Sequence, residues 1–365
     1  MKILHTDIYR FSIPMVPFTI ATGTMHYAQN LFIRIHTDAG YYGVGECSAF
    51  PMIVGETQAT CFEMAKDFAA CWKDRDPLDI AGRMEELHAY TAFNATAKSA
   101  FDMALYDLAA KDAGQPLYRF LGGRKKPIET DLTIGIGTPE AMAAKAAEFK
   151  KNGVRMIKVK LGKKATEDVE RIRQIRAAIG NDLILRIDAN QGWDFDGAQF
   201  ALRQMEPFGI QFCEQPMRHW DDDKLPELRK QTTIPIMADE SVFDHHDASR
   251  LIAAEACDSI NIKFAKSGGI LEATRINNLC EQHGIPCMMG GMLESRVALT
   301  AFTHFALAHD NIRYHDMDTC LLGHTADPVI GGVKYKSYFL EISDEPGLGV
   351  DAEEAFLQGC VKATV

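Results

Sequence analysis

The chain has 365 residues, of which 47% are hydrophobic and 24% charged, a globular composition long enough for one large domain or two. Its net charge of −11 argues against a nucleic acid or an anionic membrane surface as the main partner. Nine cysteines, an odd number with no Cys-x-x-Cys pair, read as buried reduced thiols, and no apolar run suits a signal peptide or a membrane span; a soluble, reducing, cytoplasmic home is expected.

The first 125 residues predict an α+β domain. "MKILHTDIYRFSIP" alternates as a strand does, and "NLFIRIHTDAGYYGVGECS" reads as two alternating strands around an Asp38-Ala39-Gly40 turn. Helical stretches follow, "ETQATCFEMAKDFAACW" and "TAKSAFDMALYDLAAKDAG", the second stopping at Gly114 with Pro116 beyond. Then the pattern changes. Short apolar strands recur, centred on Leu132, Lys158, Arg186, Phe212, Met237, Asn261, Met288 and Tyr314. The interval is about 25 residues, the length of a strand, a helix and two short loops.

The segments between them read as helices. "TPEAMAAKAAEFKKNG" opens with Thr138 as a cap and Pro139 in the first turn, and stops at Gly153. "ATEDVERIRQIRAAIG" sets Val169, Ile172, Ile175 and Ile179 on one face. Eight strands alternating with helices predict a (β/α)8-type barrel over residues 126–325. An open doubly wound sheet also alternates, but no Gly-x-Gly-x-x-Gly fingerprint follows the first strand. Turn-rich, strand-like pieces such as "GGVKYKSYFLEI" predict that a C-terminal segment, 326–365, returns to the first domain.

In such barrels the chemistry sits at the C-terminal strand ends. Those positions hold Lys158 and Lys160 on strand two, Asp188 on three, Glu214 on four, Asp239 and Glu240 on five, Lys263 on six, and Asp316 and Asp318 on eight. One acid at a strand end merely meets water. A carboxylate on each of three consecutive strands, with lysines on both sides, demands more. Asp188, Glu214 and Asp239 converge, and their mutual repulsion calls for a cation. An all-oxygen set suits Mg²⁺, or Mn²⁺ in its place, better than zinc. Among twelve histidines only His315 falls at these ends, and His245-His246 reads as a solvated loop pair.

Strands two and six of an eight-stranded barrel are diametrically opposed, so Lys160 and Lys263 are expected to face each other across the mouth. A substrate carboxylate on the metal would place its α-carbon between two amines. The divalent cation would stabilise the enolate formed by α-proton abstraction. A lysine becomes the base when burial and nearby cations lower its pKa, and Lys158 beside the metal is expected to do this for Lys160. One base removes the proton and the other returns it from the far side, which inverts the α-carbon.

The Lys-x-Lys, Asp, Glu, Asp-Glu and Asn-Ile-Lys series, in this order and on these strands, resembles the enolase superfamily, muconate-lactonising subgroup, nearly end to end. The resemblance implies that the first domain, 1–125, is a capping domain. It implies one Mg²⁺ per subunit on Asp188, Glu214 and Asp239, with Lys160 and Lys263 as the acid/base pair. Lys158 would support the lysines, and Glu240 would lie on the substrate side. Acidic barrels of this kind often form homo-oligomers, though no patch that would mediate one is legible.

The subgroup holds several reactions on one core. "YHDMDTCLL" separates them, because Asp316 and Asp318, two acids on one face of strand eight with no nearby Lys or Arg in sequence, resemble the ammonium-binding pair of the dipeptide epimerases. The other use of these acids is an ion pair with Arg296 or Arg313. The reading is therefore a Mg²⁺-dependent epimerase acting on the C-terminal residue of a dipeptide. An N-acylamino acid racemase or o-succinylbenzoate synthase of the same subgroup is the alternative.

Two capping-domain loops, Phe18–His26 and Phe50–Glu56, are expected to close over the site. Members acting on Ala-Glu carry an arginine in the first loop where this chain has Gly23. Thr24, Met25, Phe50, Met52, Ile53 and Val54 point instead to an uncharged or apolar substrate side chain. Glu294 and Ser295 fit either a contact to the substrate backbone or a polar start to a helix. Lys266 reads as a solvated loop lysine that could otherwise line the site.

Overall fold

The computed structural model describes residues 1–365. Its N-terminal part is built on three antiparallel strands, β1 (Ile3–Ile20), β2 (Gly23–Thr37) and β3 (Tyr42–Ser48). β1 and β2 are long because their alternation does not stop where a loop was expected. Phe18 pairs with Met25, Thr19 with Thr24 and Ile20 with Gly23. The segment Phe18–His26 is thus the paired tip of a hairpin, with β-branched residues favouring extension to the end. The second expected loop contains a single helical turn, Pro51–Val54.

Helices Gln58–Trp72, Ile80–Tyr90 and Ala95–Asp112 cover one face of this sheet. The middle one went unread, although Asp79 is an ordinary N-cap that accepts from Gly82 N. Phe68 and Trp72 pack edge-on against Phe101 at ring distances of 5.6 and 5.2 Å. The helix Ala95–Asp112 lies directly on β3, which only glycine permits: a Cβ at Gly43 or Gly45 would overlap the carbonyl of Ala104 or Ala100.

Eight parallel strands follow: β4 (Leu132–Ile134), β5 (Met156–Lys160), β6 (Ile184–Asp188), β7 (Ile210–Glu214), β8 (Ile236–Ala238), β9 (Ser259–Ile262), β10 (Cys287–Gly290) and β11 (Ile312–Asp316). Each pairs with its neighbours in chain order, and every predicted strand centre falls inside one of them. The sheet curls into a nearly closed barrel. β4 and β11 meet without a regular ladder: Asp131 N donates to His315 O at 3.3 Å, Met317 N to Thr130 Oγ1 at 2.8 Å and Thr133 N to Asp318 Oδ2 at 2.7 Å. The helix Pro139–Lys151 is capped by Thr138, and Ala165–Ile179 buries Ile172, Ile175 and Ile179 on one face. No helix is long and apolar enough to cross a membrane.

The last residues form β12 (Val329–Gly331), β13 (Lys334–Lys336), β14 (Phe339–Glu341), β15 (Val350–Ala352) and β16 (Lys362–Thr364). β16 adds to the N-terminal sheet as an antiparallel partner of β1. Arg34 on β2 donates to Asp351 and Glu354. Two buried carboxylates pin the N-terminal layer to barrel helices by capping them. Glu46 accepts from Ser295 N and Ala298 N, both at 2.9 Å, and Asp102 accepts from Ile270 N and Leu271 N. A cap of this kind is worth about 0.5–2 kcal/mol.

Candidate active site

Register decides which side chains meet. Lys160 pairs with Asp188 across β5 and β6, and Asp188 with Glu214 across β6 and β7. A parallel ladder brings paired residues to one level, and alternation sends Lys158, Lys160, Asp188 and Glu214 inward. Asp239 and Lys263 complete the row just past the ends of β8 and β9. All are buried: Asp188, Glu214 and Asp239 have no exposed surface, and Lys160 has the most at 9%.

The ammonium groups stand among the acids. Lys160 Nζ lies 2.6 Å from Asp188 Oδ2 at one end of the row, and Lys263 Nζ lies 2.8 Å from Asp239 Oδ2 at the other. Lys158 Nζ stands between, 3.2 Å from Asp188, 2.6 Å from Glu214 and 2.7 Å from Asp316. Two lysines thus flank three carboxylates, as the strand order of the sequence implies.

Electrostatics pulls the acids apart. Burial would raise Asp188 and Asp239, but Lys160 and Lys158 hold the first low, and Lys263 and Lys266 the second. Glu214 is pushed up to about 8 by burial and by Asp188. Burial should lower Lys158 and Lys263; instead Asp316 and Glu214 lift Lys158, and Asp239 and Glu214 lift Lys263. Lys158 is therefore an ion-paired cation at the centre of the acids. Burying so many charges costs several kcal/mol per ion before compensation, and an apolar core would be more stable. Such a cluster on the barrel's functional face marks a working site.

Two models of known families match the chain. One, described as mandelate racemase / muconate lactonizing enzyme, N-terminal domain, matches residues 5–122; the other, enolase C-terminal domain-like, matches residues 141–356. The chain belongs to the mandelate racemase/muconate lactonizing enzyme family. Within this family, a D-Ala-D/L-Ala epimerase of Cytophaga hutchinsonii is 44% identical over the whole of both chains. An L-Ala-D/L-Glu epimerase of Clostridium acetobutylicum is 38% identical over 96% of this chain and 99% of the relative. The solved structure of a dipeptide epimerase from C. hutchinsonii, complexed with Mg and the dipeptide D-Ala-L-Val, superposes with a TM-score of 0.98 at 44% identity, covering all of both chains.

The residues present fit the magnesium that accompanies this family member. The donors of Asp188, Glu214 and Asp239 are all carboxylate oxygens, the ligand type of a hard cation. Glu214 Oε2 and both Asp239 oxygens are buried without a well-formed hydrogen bond, although ammonium groups stand near them. The connected network holds seven carboxylates (Asp131, Asp188, Glu214, Asp239, Glu240, Asp316, Asp318) and five cations (Lys158, Lys160, Lys263, Lys266, Arg186). Acids outnumber the cations, and burial with like-charged neighbours raises Glu214, Glu240, Asp131 and Asp318; a divalent cation would relieve that repulsion.

At the eighth strand the sequence reading needs correction. Asp316 has a cation partner, Lys158, contributed by β5, which lies two strands round the barrel beyond β4; burial is outweighed by Lys158, Lys160 and Lys263, which hold its carboxyl at about 2. Arg296 is committed to Asp327 and to the carbonyls of Val329, Gly331 and Val333, and Arg313 forms no ion pair. Asp318 accepts only the Thr133 N–H, and burial together with Asp316 and Asp131 raises its pKa well above the usual range. Asp131, unmarked in the sequence, joins them: one oxygen from each of Asp131, Asp316 and Asp318 lies within 4.8 Å of the others. Its own cation is Arg186 at 2.7 Å.

Other expectations also change. Lys266 is buried, not solvated, with Nζ against Asp239 and the carbonyl of Asn261; the one-turn helix Phe264–Ser267 folds its stem inward. Ser295 is a helix cap, its hydroxyl donating to Glu46 at 2.7 Å and accepting from Val297 N, so the polar helix start is the reading the structure supports. Glu294 is buried beside it, and burial pushes it up to about 8. His245 pairs with Glu272 at 2.5 Å and His246 is exposed. Glu240 is buried, receives Asn190 Nδ2 at 3.2 Å and is pushed up to about 7 by burial and Asp239. Asn190 and Asn261, which donate to Glu240 and Glu214, follow or lie within predicted strand ends but were passed over.

The tip of the first hairpin is held at the C-terminal ends of the barrel strands. Thr19 O accepts from Ile136 N at 2.9 Å, and Val16 N donates to Gly323 O at 2.8 Å, anchoring the hairpin tip beyond the ends of β4 and β11. Thr24 is exposed and its hydroxyl lies 2.8 Å from that of Thr19. Phe50 is buried, and Ile53 is half-buried against the core. A Cβ at Gly23 would stand 2.8 Å from Met52 Sδ, so the two segments touch there. Val54 and Glu56 line a cleft of 820 Å³ with Phe243, Lys266 and Ser267.

Proposed function

We propose that this chain is a Mg²⁺-dependent dipeptide epimerase that inverts the α-carbon of the C-terminal residue by two-base 1,1-proton transfer. The observation that carries the reading is the flanking of three buried carboxylates by Lys160 and Lys263, each at hydrogen-bond distance from the outermost acid. Asp188, Glu214 and Asp239 would hold the ion. A bound Mg²⁺ would polarise the substrate carboxylate and ease the negative charge that α-deprotonation creates. Lys160 and Lys263 take and return the proton from opposite faces. Lys158, locked among Asp188, Glu214 and Asp316, offsets part of the acids' mutual repulsion and positions them. Mn²⁺, also a hard oxygen-seeking ion, would substitute.

Asp316 and Asp318 bind the free ammonium of the substrate. In this corner Arg186 holds Asp131 and Lys158 holds Asp316, while Asp318, whose pKa burial and the two neighbouring acids raise, has no cation until a substrate ammonium supplies one. An N-acylated substrate has no cation to supply. The Gly23–Met52 contact, with Met25, Phe50 and Ile53 nearby, favours an uncharged or apolar C-terminal side chain.

The test is loss of the α-proton signal from a panel of L,L-dipeptides in deuterated water with Mg²⁺. Dipeptides with a free amine and an apolar C-terminal residue exchange fastest, and their N-acylated counterparts do not exchange. Asp318→Asn keeps an acceptor for Thr133 N but removes the charge. It lowers kcat/KM about ten- to a hundred-fold, the worth of a charge-assisted hydrogen bond. Undiminished activity in that variant, or equal turnover of N-acylamino acids, rejects the ammonium reading. A clear preference for Ala-Glu rejects the apolar side chain.

A further inference from the structure

The wall that carries Lys160 is laced from behind by one buried carboxylate. Asp168 lies near the start of the helix Ala165–Ile179, in the layer outside the strands, and has no exposed surface. Its Oδ2 accepts from the backbone N–H of Gly162 at 3.0 Å and from the indole N–H of Trp193 at 2.9 Å. Its Oδ1 accepts from Arg171 Nη1 at 2.8 Å, and Arg171 Nε in turn donates to the carbonyl of Gly137 at 2.9 Å. The groups tied together belong to three consecutive loops: Gly137 follows β4, Gly162 follows β5 and Trp193 follows β6.

Gly162 stands two residues beyond Lys160. The chain turns there with φ +99°, in the left-handed region, and a Cβ at Gly162 would overlap the carbonyl of Ala189. Gly192 closes on the same place, since its Cβ would overlap the carbonyl of Gly162. Leu161 N donates to Asp188 O at 2.8 Å. The turn after Lys160 therefore rests directly on the loop after Asp188, and Oδ2 of Asp168 takes one donor from each. An apolar side chain would fill this space without the cost of burying a charge; a carboxylate with charge-assisted hydrogen bonds gathers three donors to one point. Lys263 is held differently. It follows β9, four strands round the barrel from β5, and its carbonyl accepts from Lys266 N and Ser267 N, both at 3.0 Å, in the one-turn helix that comes next.

We propose that Asp168 is a positioning residue for one of the two bases, a role that rests on the two-base reading of the site. By fixing the turn after β5 against the loop after β6, it sets where the Lys160 amine stands relative to Asp188. A misplacement of about 1 Å can cost about a hundred-fold in rate, so release of this clamp falls on the proton transfers of Lys160 and spares those of Lys263.

Loss of the α-proton signal in deuterated water with Mg²⁺, followed separately for the two stereoisomers of one dipeptide, tests it. Lys160→Ala identifies the isomer that Lys160 serves. In Asp168→Ala, kcat for exchange of that isomer is expected to fall about ten- to a hundred-fold, while kcat for the other isomer and KM for both stay within about threefold. A purely structural loss moves both isomers together, and Ile175→Ala in the same helix is expected to lower Tm without any bias between them. Asp168→Asn and Trp193→Phe each remove part of the clamp; both are expected to show the same bias more weakly, and they carry the test where Asp168→Ala does not fold. Equal slowing of both isomers in the folded variants, or slowing of neither, overturns the assignment. If Lys160→Ala itself produces no bias, the two-base reading falls and this role with it. A bias in Lys160→Ala without one in the Asp168 variants removes the role of Asp168 alone.

Discussion

Lys160→Ala and Lys263→Ala are each expected to abolish epimerisation while leaving exchange of the α-proton from one stereoisomer only, a different one in each variant. A single positioned acid or base contributes about 10²–10⁴-fold, and inversion needs both in every turnover. Exchange needs one. With Lys160 gone, the isomer whose proton faces Lys263 still washes out in deuterated water, and the converse holds for Lys263→Ala. Neither change strips its carboxylate of all support. Asp188 keeps Lys158 at 3.2 Å and the Asn190 N–H at 2.9 Å, and Asp239 keeps Lys266. The loss is therefore of chemistry rather than of fold, and circular dichroism with thermal melts separates the two. Equal residual exchange of both isomers by either variant contradicts the assignment.

Chelation should be as severe and, unlike the substitutions, reversible. Removing divalent ions is expected to eliminate exchange with every stereoisomer, and adding Mg²⁺ back to restore it. The reason lies in the same ion pairs. Asp239 and Glu214 hold Lys263 as a cation, well above the usual lysine range, and an ammonium cannot accept a proton. A divalent ion drawing on the carboxylate oxygens weakens that hold and supplies the positive charge next to which an amine gives up its proton more readily. Exchange measured by NMR in excess chelator, then after titration with Mg²⁺, reads both halves. Persistent exchange under chelation removes the metal from the account.

Much of this was legible because strands impose a period of two. Lys158 and Lys160 interrupt an apolar run at alternate positions, and Asp188, Glu214 and Asp239 each close one; a polar residue there must face the barrel mouth. Alternation also carried the β1–β2 hairpin further than its turn-like composition suggested. What stayed hidden was non-local. Asp131 precedes β4 and carries no mark in the sequence; only β11 brings Asp316 and Asp318 beside it. Lys158 reaches Asp316 over 158 positions, so no inspection of "YHDMDTCLL" finds the cation that balances it. Lys266 follows Lys263 in a stretch ending in two glycines, and only the one-turn helix makes it a buried partner of Asp239. Ser295 carries a genuine cap signal, but its cap partner Glu46 belongs to the other layer.

The claim on which the rest depends is that two amines reach one carbon from opposite sides. A crystal structure with Mg²⁺ and a bound dipeptide measures it directly. The expected result places Lys160 Nζ and Lys263 Nζ each about 3–3.5 Å from the α-carbon of the C-terminal residue, one on either face, with the substrate ammonium against Asp316 and Asp318. Both nitrogens on the same face of that carbon, or either one out of reach of it, would contradict the two-base mechanism.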